Sequence, residues 1–188
     1  MFRLVLITLL LAFSNSLIAQ IYKDSIEVQF LRYTELLVKK EFAKSTDYIN
    51  PGFFKIIPKA QLITVIEKTY NNPALDFTIE KPSIVSIGNI KTFGDNNFVK
   101  LQYSNYLSMH FKNDDGKKQD IPLTQKALRV QFGQDNVSYD ELTDTYRIFV
   151  IKNVVANSID MHNWTFLVVE EKQKPILEKF IPKEFLEN

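Results

Sequence analysis

Side chains able to do acid–base or metal chemistry are few in this sequence. Two histidines and no cysteine occur in 188 residues. His110 follows Tyr106 and Ser108 by alternation on what reads as the polar face of a strand, so it is expected to be solvated. His162 closes Asp160-Met161-His162 in a turn ahead of Trp164. Two ligands two residues apart fall short of the three or four that a metal site requires. Asp47-Tyr48 sets an acid beside a phenol, a pair that can move a proton if both are buried together. The plainer expectation is that Asp47 caps or solvates its turn while Tyr48 packs. Asn113, Asp114, Asp115, Gly116 and Asp120 crowd oxygen ligands into one loop, but without the spacing or terminal glutamate of a calcium hand, and they read as a solvated hairpin tip. The zinc-protease pair, the serine elbow, the phosphate loop and the dinucleotide glycine pattern are missing. These residues supply no catalytic set, no metal site and no cofactor.

Aromatic residues carry more of the signal. Fifteen phenylalanines and eight tyrosines exceed what packing alone usually needs, and inward-facing tyrosines can line an apolar pocket with polar tips. Tyr33, Phe53, Phe54, Tyr70, Tyr103 and Trp164 are expected to face the interior, and together with Tyr48 and Asn105 they form the candidate ligand-binding set. Asn105 is the one strongly polar residue among Val99, Leu101, Tyr103, Leu107, Met109 and Phe111, the strand face assigned to the core.

The elements that position these residues follow from hydrophobic period. Asp24 and Glu27 have capping-box spacing, and Ile26, Phe30, Tyr33 and Leu37 recur behind them, predicting one helix over about 24–44. Asn50-Pro51 opens a short turn of helix bearing Phe53 and Phe54. A second helix carries Leu62, Ile63, Ile66 and Tyr70 and stops at Asn71-Asn72-Pro73. Beyond that proline the period changes to two: strands are predicted at 75–80, 83–93 and 98–111. Asp120-Ile121-Pro122 starts an inserted helix near 121–132, a hairpin spans Val137 to Val155, and Trp164 to Val169 is the last strand. The tail 174–187 is read as short helical pieces docked by Ile176, Leu177, Phe180 and Phe185.

Residues 1–19 carry one charge, Arg3, then the apolar run Leu4 to Phe13 and a small residue, Ala19. That order reads as a secretory signal peptide, its apolar part too short for the roughly 20 residues of a membrane span; the alternatives are an uncleaved anchor and a buried N-terminal helix. Residues 20–188 then form a single domain. Removing residues 1–19 takes one base and no acid, so the 23 basic and 22 acidic residues become equal in number. No net field draws nucleic acid, and no cysteine is present for a lipid anchor. An exported, soluble protein of the periplasm or extracellular space is expected, with no membrane association after cleavage.

Helices first and then long antiparallel strands is an α+β order, helices packed on a curved, mainly antiparallel sheet. In the capped helix 24–44, the segment Tyr48-Ile49-Asn50-Pro51-Gly52-Phe53-Phe54, the helix ending at Asn71-Asn72-Pro73 and the strands closing with Trp164-Thr165-Phe166, the chain resembles a nuclear transport factor 2-like domain, a cone-shaped relative of the cystatin roll. In Trp164 to Val169 and the tail with Ile181-Pro182-Lys183-Glu184 it also resembles uncharacterised exported proteins of Bacteroidota. The resemblance implies a cone-shaped sheet. Such folds host isomerases, dehydratases, hydrolases, transport factors and binding modules alike, and none of their catalytic sets matches here residue by residue. Three readings follow. The first is a non-enzymatic domain binding a small apolar ligand or a protein partner in the cone or on the sheet face. The second is an acid–base isomerase or dehydratase in the same cavity. The third is a homodimer joined through the sheet face bearing Tyr106.

Overall fold

The computed structural model describes residues 2–112 and 120–187, with side chains from Gln20 onward. It is an α+β fold: among the described residues five α-helices accompany a seven-stranded antiparallel sheet that is not closed. The apolar stripe Tyr22, Ile26 and Phe30 lies on α1 (Phe2–Val38) and is buried against the sheet. Asp24 is therefore not a helix start. The capping-box spacing falls inside a continuous helix, where Asp24 accepts a bond from the Gln20 amide one turn earlier.

The predicted helix 24–44 is also interrupted. Lys40 adopts the left-handed conformation (φ 59). The Glu41 N–H reaches back to the Leu36 carbonyl and that of Lys40 to Leu37, the double closure that ends helices at a left-handed residue. α2 (Phe42–Ser45) then turns the chain into 3-10 segments at Thr46–Tyr48 and Pro51–Lys55. The second of these is capped by the Asn50 side chain, which accepts the Gly52 N–H at 2.7 Å. α3 (Lys59–Tyr70) leads to β1 (Leu75–Ile79), β2 (Ser83–Ile87), β3 (Lys91–Phe93) and β4 (Asn96–Phe111). The predicted strand 83–93 is thus two strands, with Gly88 between them donating to the Lys100 carbonyl. α4 (Ile121–Phe132) starts where the sequence placed it, with Asp120 accepting the Leu123 N–H. The rest of the predicted acidic loop, 113–119, lies outside the described residues. β5 (Val137–Asp140), β6 (Thr145–Ser158), β7 (Thr165–Val168) and α5 (Lys174–Leu177) complete the chain.

β4 and β6 form the spine, in unbroken register from Asn97 opposite Ser158 to Met109 opposite Tyr146. Alternation sends their residues to two faces. On one face α1 covers Val99, Leu101, Val154, Ala156, Trp164 and Phe166, while α4 covers Tyr146, Ile148 and Val150 through Leu128. The opposite face presents Phe98, Val155 and Leu167 to the tail, which docks with Leu177, Ile181, Phe185 and Leu186. Ile176, expected to dock, is 38% exposed instead. Each large apolar side chain fully removed from water contributes about 1.5–3 kcal/mol, so the tail is part of the core. Among the described residues no helix is long and apolar enough to cross a membrane.

Candidate functional site

Between the α1 cluster and the α4 cluster the helix-bearing face changes character. Val150, Lys152 and Val154 follow one another along β6, with Asn105, Tyr103 and Leu101 opposite them on β4. Asn105 is only 6% exposed, yet its amide oxygen is buried without a hydrogen-bond partner. Buried polar groups are nearly always satisfied, and an unsatisfied one costs about 1–3 kcal/mol. The strand assignment of this face from sequence is upheld throughout: Val99 and Leu101 are buried, and Tyr103, Leu107, Met109 and Phe111 pack partly buried against the two clusters.

Three of the predicted tyrosines converge on the same region. Tyr103 packs on Phe30 at 5.0 Å between ring centres, and Tyr33 stacks with Phe166 at 6.1 Å. Tyr70 lies between Phe42 and Phe77, its hydroxyl buried and without a partner. Burial pushes the Tyr33 phenol up to about 12. It pushes Tyr70 and Tyr103 well above the ordinary tyrosine range, with the neighbouring Tyr33 adding to both and Glu170 and Tyr70 adding further to Tyr103. The phenols are therefore neutral hydrogen-bonding groups over the whole physiological range. Lys152, directly opposite Tyr103, is held by Glu170 at 2.7 Å. The sequence reading missed this ion pair, although a lysine at an inward position of a strand was a visible signal for it.

The remaining predicted residues go elsewhere. Phe53 and Phe54 pack with the tail cluster on the opposite face. The reason is the path of residues 46–57, which runs along the outer edge of the sheet, where Ile49 bridges Phe166 of β7. Tyr48 packs 6.4 Å from Tyr33 and, with Trp164, lines an open groove of about 410 Å3 beside α1. Trp164 is 2% exposed and belongs to the core, its indole N–H buried without a partner.

Neither candidate acid–base group enters the tyrosine region. The Asp47 side chain is 66% exposed and paired with Lys59, so it does not share a buried site with Tyr48. His110 is half-exposed but not simply solvated: Asp76 lies 3.5 Å from its Nδ1 and Asp144 3.8 Å from its Nε2. Asp160 accepts the backbone N–H groups of His162 and Asn163, which holds its carboxyl far below the usual range. It organises the turn before Trp164. Among the described residues no group of three or more His, Asp or Glu could hold a metal ion. No family model matches the chain, and no curated protein or solved structure matches it.

Proposed function

We propose that this protein is a binding domain of the cone-shaped kind that its sequence resembles, taking a small, mainly apolar ligand against the helix-bearing face between α1 and α4. The reading is carried by the Asn105 carbonyl, buried and unpartnered in the middle of an apolar strand face. An acceptor so placed suits a ligand that offers an N–H or O–H donor, with the buried Tyr70 hydroxyl as a second polar contact and the rings of Tyr33 and Tyr103 as apolar wall. Asp47 and His110, the groups that would favour acid–base catalysis, stand at exposed and half-exposed positions, respectively, outside this region, which favours binding over turnover.

Asn105→Leu tests it, compared with the wild type by thermal unfolding and by mass spectrometry of the small molecules that co-purify. Leucine removes no protein partner from the amide oxygen, so stability should hold or rise while the bound material is weakened or lost. A clear drop in stability with unchanged bound material rejects the reading. Export is proposed from Arg3, the apolar run and Ala19. An intact mass matching a start within two residues of Gln20, after expression in a Gram-negative host, supports it, and recovery of the full chain from the inner membrane defeats it.

A further inference from the structure

A separate groove of about 510 Å3 runs along the side of α1 away from the core, within the roughly 300–1,000 Å3 usual for small-molecule sites. Val28, Leu31, Glu35 and Val38 recur at helical spacing opposite the buried stripe of Ile26 and Phe30. The far wall is Lys81-Pro82, where β1 hands over to β2. Val28 and Val38 are 67% and 44% exposed, an apolar strip left in water on a helix whose other side is fully packed.

The charges at the rim are unbalanced. Arg32, Lys39 and Lys81 line the groove against one carboxylate, Glu35. Glu35 is engaged by both Arg32 and Lys39, and their hydrogen bonds hold its carboxyl down at about 2, so it stays ionised. A guanidinium has five donors and an ammonium three, so both cations keep donors after serving Glu35. Lys81 has no ion-pair partner among the described residues.

We propose that this groove binds the free monomer of a fatty carboxylate, its chain along Val28, Leu31, Val38 and Pro82 and its head among Lys81, Arg32 and Lys39. A single negative head fits an excess of cations at the rim of an apolar trough, because charge-assisted bonds to the carboxylate are stronger than neutral ones. A two-walled trough suits one chain better than a flat bilayer surface does. The lining of this groove includes neither Asn105 nor Tyr33, Tyr70 or Tyr103, so the proposal stands independently of the Asn105 site.

The probes are laurate and its uncharged counterpart 1-dodecanol, titrated calorimetrically below micelle formation into the mature protein. Laurate should bind at least tenfold more tightly than dodecanol, and its advantage should shrink in high salt. Lys81→Glu, at an exposed position, should weaken laurate at least fivefold and leave dodecanol unchanged. Val28→Asp should weaken both, with far-ultraviolet circular dichroism confirming an intact fold. Asn105→Leu should leave laurate binding as it was. Equal affinity for laurate and dodecanol, an unchanged laurate affinity in Lys81→Glu, loss of laurate in Asn105→Leu, or binding only to phosphatidylglycerol vesicles would each overturn the proposal.

Discussion

The carboxamide of Gln29 grips the chain at Trp164: its Oε1 accepts the Trp164 backbone N–H at 2.9 Å, while its Nε2 donates to the His162 carbonyl at 2.6 Å. One side chain of α1 thereby satisfies two backbone groups of the turn between β6 and β7, at the point where Trp164 enters the core. Gln29→Leu leaves the Trp164 N–H without that partner in a partly buried place, while the exposed His162 carbonyl keeps water and the Ser25 hydroxyl, and should destabilise the fold by about 0.5–1.5 kcal/mol in denaturant unfolding. Gln29→Glu should recover the bond to Trp164 but set a carboxylate against the His162 carbonyl. Relative to the wild type its stability is therefore expected to rise as the pH is lowered through the glutamate range, and a difference that does not change with pH would show that the Nε2 bond contributes nothing.

A second buried amide sharpens the meaning of Asn105. Asn157 is 8% exposed, and its Oδ1 accepts from Asn50 at 3.1 Å while its Nδ2 reaches the Asn97 carbonyl at 3.2 Å. This pair ties the capped segment at Asn50 to the β4–β6 spine. Asn157→Leu removes a partner from groups that stay buried, so a loss of about 1–3 kcal/mol is expected, in contrast to the unchanged or raised stability expected for Asn105→Leu. Equal effects of the two substitutions would mean that Asn105 has a protein partner after all.

Glu35 gives the acid limb of the stability curve an identifiable contributor. Its carboxyl is held near 2 by hydrogen bonds first from Lys39 and then from Arg32. With the folded-state value below the unfolded value of about 4.3, the unfolded chain takes up the proton first. The stabilisation is present above about pH 4.3 and fades as the pH falls toward 2. The pairs are exposed, so salt should diminish the effect. Carboxyl-carbon resonances should show Glu35 titrating near 2 at low ionic strength, and Lys39→Met should move that midpoint upward.

Local rules read from the sequence held where one element decides the outcome. The alternation along 98–111 sorted Val99, Leu101 and Asn105 onto the helix-bearing face because β4 keeps perfect register with β6. Asp120 capped α4 as its spacing implied. The failures have physical causes. Asp24 and Glu27 have the chemistry of a cap, but a capping signal acts only where the chain before it leaves the helix, and α1 runs through. Phe53 and Phe54 are apolar enough for either face. What sends them to the tail cluster is the passage of residues 46–57 around the β7 edge, a long-range contact with no local signature. The Lys81-Pro82 wall of the outer groove was equally illegible, because its partner is a helix some fifty residues earlier in the chain.

The tyrosine cluster itself is open to a direct test by alkaline titration. Burial raises Tyr33 to about 12 and shifts Tyr70 and Tyr103 upward as well, while unfolded tyrosines ionise near about 10. Since the unfolded chain loses these protons first, the stabilisation is complete below about pH 10 and declines as the pH rises beyond it. Ultraviolet difference spectra should resolve a late class of tyrosines, together with Tyr139, whose hydroxyl donates to Asp144 and is thereby also raised to about 12. Tyr70→Phe should remove one member of that class. Because the Tyr70 hydroxyl has no protein partner, the substitution should leave stability unchanged or raise it, the ring still packing between Phe42 and Phe77. A loss above about 1 kcal/mol would place a hydrogen-bonding group beside that hydroxyl and remove Tyr70 from the polar contacts of the binding site.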